Sequence, residues 1–358
     1  MRYVPLTRSS TISPIVGFLG SVGVSTTRLL AKAGLPPWIT SDGETLIPSR
    51  SVGSLLEAAA RELEEPNLGL TDGERTSFEA LGTFGRLARR APTLGAALRT
   101  VVRYSAIFTS SGRMSLRPRG GLVEFRWALV PGFDPRDVAW QQTQLHTLGR
   151  MVALVRLGAG PGWRPAEVHL QTDEVAGLRD AASLAATRIA FRQSATMVAV
   201  PRALLAMQLP PPPPTDVPPD VEHWQSCAPA RDFAGSIRQA VETLSCGESY
   251  PCVRETADFV GMSVRTLQRR LAAARVSHDV LVAQARFASA AAMLEHTNAK
   301  ILDLALDLGY SDHANFTRAF RRWAGCPPQE YRSRYGRRGP VGERSTIERG
   351  RRDNRLGT

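Results

Sequence analysis

The stretch "ALDLGYSDHANFTRAFRRW", residues 305–323, starts as a short apolar helix, breaks at a glycine and restarts with polar residues. Ala305 and Gly309 are four apart and share one helical face. Gly309 suits the left-handed position that ends a helix, and Ser311 is the expected N-cap of the helix that follows. That second helix carries Phe316, Ala319, Phe320 and Trp323 as an apolar stripe. His313, Asn315 and Arg318 are then left facing outward. The same logic appears earlier in "ETADFVGMSVRTLQRRL", residues 255–271. Ala257 and Gly261 are four apart, Ser263 is the expected N-cap, and Val264, Leu267 and Leu271 form the stripe. Its outward positions include Arg265, Thr266, Gln268 and Arg269. Two short helices joined by a tight glycine turn make a helix-turn-helix, whose second helix enters the DNA major groove.

One copy of this pattern also fits an ordinary helical hairpin. Two copies, with Gly261 and Gly309 separated by 48 positions, favour a pair of reading heads. Between them, residues 278–294 are predicted helical, with Val280, Phe287, Ala291 and Leu294 on one face. A helix of that length spans about 25 Å at 1.5 Å per residue. Successive reading positions on one face of DNA lie ~34 Å apart, so the connector is of the right order to set the spacing.

With these motifs in place, residues 232–335 resemble the DNA-binding domain of the AraC/XylS family of bacterial transcription regulators. The match is strongest in "ILDLALDLGYSDHANFTRAFRRWAGCPPQEYR". It contains the family's apolar–Ala–x–x–x–Gly–aromatic–Ser pattern and its Phe-x-Arg-x-Phe core. It ends on Gly-x-x-Pro-x-x-Tyr-Arg as Gly325, Pro328, Tyr331 and Arg332. Leu271, Leu304 and Tyr310 differ from the commonest family residues, and each keeps the core apolar. The resemblance implies base or backbone contacts at Ser263, Arg265, Thr266, Gln268 and Arg269 in the first copy. In the second it implies them at Ser311, His313, Asn315 and Arg318. Arg reads guanine O6/N7 and Gln or Asn reads adenine N6/N7, while the two serines touch phosphate. It also implies double-stranded DNA and RNA polymerase as partners.

Charge agrees with this reading. The chain has 358 residues and a formal net charge of +12. From Arg231 onward there are 21 Arg and Lys against 14 Asp and Glu, a net of +7, so more than half of the excess lies in the last third. Nearly all of it is Arg, which offers bidentate hydrogen bonds to phosphate. The four cysteines form no CxxC pair, so neither a metal site nor a disulfide framework is expected. A reducing cytoplasm is the expected compartment. No secretory signal and no apolar run of about 20 residues is visible, so no membrane partner is expected.

The chain reads as three parts and a tail. Residues 1–209 mix helices and strands, an α+β domain expected to sense an effector or to self-associate. The helices are read at residues 54–65, 93–104 and 138–155. The strand "LVEFRWAL", residues 122–129, alternates Val123, Phe125, Trp127 and Leu129 with polar positions and forms a hairpin with the preceding "RMSL". "AEVHL", "RIAF" and "MVAV" read as further short strands. Residues 210–230 open with a run of prolines that favours an extended spacer over a ligand for an SH3-like partner. Residues 231–336 are the all-α double helix-turn-helix domain, and residues 337–358 are an Arg-rich, disordered tail. Within 1–209, "LLAKAGLPP", "NLGL", "APTLGAALRTVVRY" and "GWRPAEVHL" resemble the N-terminal domain of an AraC-type subgroup that includes the ornithine-responsive type. That resemblance implies a small-molecule effector or a homodimer through this domain, and names no ligand.

Enzyme chemistry is not visible. There is no G-x-S-x-G, H-E-x-x-H or P-loop. "GAGPG" at residues 158–162 follows a helix rather than a strand, so it reads as an ordinary loop. His146 and His169 are isolated, and no catalytic residue, cofactor or metal is assigned. The expected function is a sequence-specific transcription regulator whose chain reads two successive major-groove segments. The competing readings are an enzyme delivered to nucleic acid by a basic domain, and an architectural binder without sequence preference.

Overall fold

The computed structural model describes residues 2–130, 134, 137–212, 219–247 and 250–336. The Arg-rich tail and the centre of the proline run, residues 213–218, lie outside the described residues. Near the amino end, β1 (Leu6–Arg8) pairs antiparallel with β2 (Leu46–Pro48). Between them lie α1 (Ser13–Ser21) and α2 (Thr26–Lys32). Then follow α3 (Ser49–Glu62), α4 (Leu68–Arg75), α5 (Gly82–Arg89) and α6 (Leu94–Phe108). Helix α6 begins where Thr93 Oγ1 accepts the Ala96 N–H at 3.2 Å, satisfying one of the free donors of its first turn.

The alternation read in the sequence produces β3 (Gly112–Arg119) and β4 (Leu122–Leu129), an antiparallel hairpin in which Val123, Phe125 and Trp127 are buried. The long helix α7 (Val138–Ala159) follows, and then β5 (Glu167–His169), β6 (Arg188–Ala190) and β7 (Thr196–Pro201). These five strands form one sheet in the order β3-β4-β7-β5-β6, with only β5 and β6 parallel. Leu98 and Val101 of α6, Leu145, Leu148 and Val152 of α7, and Phe125 and Val198 of the sheet share one core. Val138, expected on the apolar stripe of α7, is exposed. The helix turns its first-turn Ala139 and Trp140 inward instead. The GAGPG segment supplies the last two residues of α7 and the turn that follows, with Gly160 at φ +89°.

Helix α7 approaches α3 and α4 backbone to backbone. A Cβ on Gly149 would lie 2.4 Å from the Leu70 carbonyl oxygen, and one on Gly73 would lie 2.4 Å from that of His146. Neither obstacle is a flexible side-chain end, so the helices themselves must separate. Gly149→Ala is therefore expected to destabilise the protein by about 1–3 kcal/mol, the usual range for overpacking, read as a lowered melting temperature. An unchanged melting temperature would show that α4 and α7 slide apart freely.

The remaining helices are α8 (Val221–Ser226), α9 (Phe233–Leu244), α10 (Val253–Phe259), α11 (Val264–Ala273), α12 (His278–His296), α13 (Ile301–Asp307), α14 (His313–Ala324) and α15 (Pro328–Tyr335). The protein divides into two compact units, one ending at Ala285 and the other beginning at Arg286. In the first, the helices α9, α10 and α11 share a core with the amino-terminal segment. Ile237, Val241, Leu267 and Leu271 pack in one cluster with Leu6, Ile12, Leu55 and Leu56. Hydrogen bonds tie the same parts: Ser236 Oγ accepts the Val4 N–H at 3.1 Å, and Thr243 Oγ1 donates to the Leu46 carbonyl at 2.7 Å. Buried Arg8 donates to the carbonyls of Trp224 and Cys227 at 3.2 and 2.8 Å, anchoring α8 and the loop after it. The linear order of the chain did not foreshadow this shared core.

In the second unit Phe316 and Phe320 are buried, and the rings of Phe287, Phe320 and Tyr331 meet with centroids 5.2–6.5 Å apart. Trp323, expected on the stripe, is 38% exposed and lies on Phe287. The buried face of α12 also differs from expectation. Val280 is exposed, whereas Leu281, Ala285, Ala290 and Leu294 are buried. Leu281 and Ala285 belong to the core of the first unit, so one face chosen to fit the later residues could not describe the earlier ones.

Candidate nucleic-acid interface

Both glycine turns take the conformation their residues require. Gly261 has φ +68° and Gly309 φ +76°, where a residue with a Cβ is strained. In each copy the residue after the glycine donates back to the alanine on the first helix. Met262 N bonds Ala257 O at 2.8 Å, and Tyr310 N bonds Ala305 O at 2.9 Å. Both alanines are wholly buried.

In the first copy, Ser263 caps α11 by accepting the Thr266 N–H at 3.3 Å. Leu267 and Leu271 point into the core. Arg265, Gln268 and Arg269 are exposed and Thr266 is half-buried. Arg270, next to Arg269, behaves differently. Its guanidinium sits 3.9 Å from the centroid of the Phe233 ring. Burial, then the charge of Arg269, lowers its pKa. Of this arginine pair, the fold therefore leaves one side chain extended to solvent and uses the other to pack.

In the second copy the cap is Asp312, not Ser311. The Asp312 carboxylate accepts the Asn315 N–H at 2.7 Å, and α14 starts at His313. Serine and aspartate are both good caps, and the carboxylate adds favourable charge at the positive end of the helix. The backbone N–H of Asn315 holds the Asp312 carboxyl below its usual range, helped by the Ser311 hydroxyl and Arg318. Ser311 instead donates to Asp312 Oδ2 at 3.2 Å. Ser311, His313, Asn315 and Arg318 are all exposed. Three of them form a chain. Asn315 Nδ2 donates to Ser311 Oγ at 3.0 Å and to Asp312 Oδ2 at 2.6 Å, and Arg318 donates to Asn315 Oδ1 at 2.5 Å. This chain holds the amide and the guanidinium in fixed orientation on one exposed strip. Asp312 is the residue that sequence reasoning passed over, although its offset of three from Asn315 was a readable capping signal.

The closing Gly-x-x-Pro-x-x-Tyr-Arg segment acts through packing. Gly325 ends α14 at φ +74° and Pro328 opens α15. Tyr331 donates to Glu295 at 2.8 Å, and Arg332 to the Ala299 carbonyl at 2.7 Å, pinning α15 to the end of α12. Burial, then Glu295, pushes the Tyr331 phenol up to about 12.

The first unit also contains a cavity of about 80 Å³ between α7 and the β3–β4 hairpin, reached by residues of β1, α3 and α6. Its walls are mainly aromatic and aliphatic, including Phe84, Phe108, Phe125 and Trp127. His146 and Arg150 line it as well. In the sequence His146 reads as an isolated histidine, a surface or core group rather than a ligand or base. Thr143, His146, Thr147, Arg150, Met151 and Leu154 recur three and four apart on one face of α7, and what the sequence does not display is that this face lines a cavity.

Among the described residues, no helix is long and apolar enough to cross a membrane. Comparison with known proteins places these features. Residues 23–209 match the arabinose-binding domain of AraC transcription regulator, N-terminal, and residues 256–334 match a helix-turn-helix domain. The chain is 25% identical to the HTH-type transcriptional regulator VirS of Mycobacterium tuberculosis, over 94% of this chain and 98% of that protein. It is 22% identical to the ornithine utilization regulator of Pseudomonas aeruginosa, over 89% of this chain and 94% of that one. Among solved structures, the transcriptional regulator CdpR from Pseudomonas aeruginosa is similar over 90% of this chain and 98% of its own, at 20% identity and a TM-score of 0.40.

Proposed function

The chain belongs to the AraC transcription-regulator family, and from that premise we propose which of its residues read DNA. The protein is a DNA-binding transcription regulator with an effector-binding N-terminal domain, and its role is regulation rather than catalysis. In our reading, Arg265, Thr266, Gln268 and Arg269 of α11 face one major-groove segment, with Ser263 on the phosphate. His313, Asn315 and Arg318 of α14 face the next segment, with Ser311 on the phosphate. The observation that carries this reading is the exposure of all these side chains but the half-buried Thr266, on helices whose opposite faces are buried. Bidentate Arg–guanine and Asn– or Gln–adenine pairs supply the discrimination, and the surrounding arginines supply sequence-independent attraction.

We assign effector sensing to residues 1–209, the spacer to 210–230, DNA reading to 231–336 and added phosphate attraction to 337–358. The family role also leads us to include RNA polymerase and a second copy of the chain as partners, in the cytoplasm. Selection of bound sequences from random DNA, followed by footprinting with the full chain, tests the reading. It is expected to yield a bipartite site with two protected major-groove segments about 10 base pairs apart. Recovery of unrelated sequences with uniform affinity would instead show an architectural binder.

A further inference from the structure

The cavity beneath the β3–β4 hairpin is lined by three buried polar side chains whose hydrogen bonds are incomplete. Ser49, His146 and Arg150 line it and are only 2%, 3% and 8% exposed. The Ser49 hydroxyl, His146 Nε2 and Arg150 Nε have no protein hydrogen-bond partner. Buried polar groups without partners are costly in a dry interior, and a cluster of three around one apolar cavity points to a molecule that completes them. The other ends of these side chains are held. Arg150 donates to the Thr11 carbonyl at 2.9 Å. His146 Nδ1 lies 3.0 Å from Asp72 Oδ2, itself buried, in a contact outside hydrogen-bond geometry. Burial, then Arg150, lowers the His146 pKa, with Asp72 opposing. A neutral imidazole donates from one ring nitrogen and accepts at the other.

The lining therefore offers an N–H from Arg150, a hydroxyl from Ser49 and an N–H from the neutral ring of His146. A carboxylic acid matches all three. Bound as the carboxylate, its oxygens accept from Arg150, from the Ser49 hydroxyl and from the N–H of the neutral His146 ring. A sugar ring is bulkier than benzene, which occupies a cavity of about 150 Å³, and so is too large for one of about 80 Å³. Size narrows the class further. A cavity of 150 Å³ takes benzene, so one of about 80 Å³ has room for a chain of roughly three to five carbons.

The same wall belongs to the core under the first reading helix. Ser49 and Val52 of α3 line the cavity. Val52 is part of the cluster that contains Leu267 and Leu271 of α11. Thr7 and Thr11 line the cavity beside Leu6 and Ile12, which are in that cluster too. We propose that this cavity binds a short aliphatic monocarboxylic acid through Arg150, Ser49 and His146, and that α3 couples its occupancy to the α10–α11 reading head. The assignment rests on the effector-binding reading of the N-terminal domain.

The test uses the full chain and separates ligand from DNA. Calorimetry without DNA, over the straight-chain acids from acetate to octanoate, should show saturable binding that peaks at three to five carbons. The matching alcohol and amide should bind at least tenfold more weakly. Arg150→Met should abolish acid binding. Because loss of the Thr11 contact could unfold that variant, Ser105→Leu is the second probe. Ser105 lines the cavity and its hydroxyl bonds only within its own helix, to the Val102 carbonyl, so leucine fills the space and leaves the polar cluster intact. It should also abolish acid binding while melting cooperatively. In gel shifts, the bound acid should change affinity for the selected operator at least threefold in the wild type and not in Ser105→Leu. Equal binding of acid and alcohol, or no acid binding by a chain that still binds its operator, would overturn the ligand class and leave the DNA reading standing. Acid binding without any change in operator affinity would overturn the coupling through α3.

Discussion

Phe316→Ala is expected to cost about 3–5 kcal/mol in the stability of the second unit and to remove one of the two DNA-reading heads. The effect is large because Phe316 is 1% exposed and joins Tyr310 and Phe320, with ring centroids 5.4 and 5.7 Å away. The unit is small, with helices α13, α14 and α15 and the later part of α12 around one aromatic cluster. A loss of this size is a large share of what such a unit can hold. Hydrogen exchange resolved along the chain is the direct measurement. Amides of α13 to α15 should lose protection, while those of α6, α7 and the five-stranded sheet keep it. Footprinting should then retain protection over one groove segment and lose the other. Uniform loss of protection along the whole chain would show that the two units do not unfold separately.

The second large effect is on specificity. Arg269→Ala is expected to lose about 1–3 kcal/mol of discrimination at one base pair of the operator, measured as the ratio of affinities for matched and mismatched sites. Arg270→Ala is the natural control, because its guanidinium rests on Phe233 and faces away from any reading role. It should lower thermal stability and leave the discrimination ratio unchanged. If Arg269→Ala weakens binding equally on all sequences and flattens the salt dependence, Arg269 contacts phosphate instead. The same experiment on Asn315 has a structural twist. Its amide is already engaged by Ser311 and Asp312, and its carbonyl by Arg318. Asn315 and Arg318 should therefore show non-additive losses, since removing either one releases the other.

The sequence carried some of this and not the rest, for physical reasons. The glycine turns were legible because a left-handed backbone position is nearly reserved for glycine, and Gly261 and Gly309 both occupy it. Strand β4 was legible because a half-buried strand alternates with period two, as Val123, Phe125 and Trp127 do. The second N-cap was misplaced by one residue because Ser311 and Asp312 are adjacent and equally able to cap. Geometry decides between them, not residue type. The buried face of α12 was misread because the helix packs in the core of one unit at Leu281 and Ala285, and is buried again in the other at Ala290 and Leu294. A single periodic stripe assumes one partner. The cavity was invisible because its members come from β1, α3, α6, β3, β4 and α7, and no local pattern links Ser49 to Arg150.

The packing of α9, α10 and α11 against α3 and β2 bears on how regulators of this kind could be recombined. A chimera spliced at the prolines would strip Ile237, Val241, Leu267 and Leu271 of Leu55, Leu56 and Leu6, their neighbours in the cluster. Such a graft would present a greasy scar on each half, prone to clumping. A seam placed inside α12, after Ala285, would keep that oily contact intact and exchange only the trailing reader.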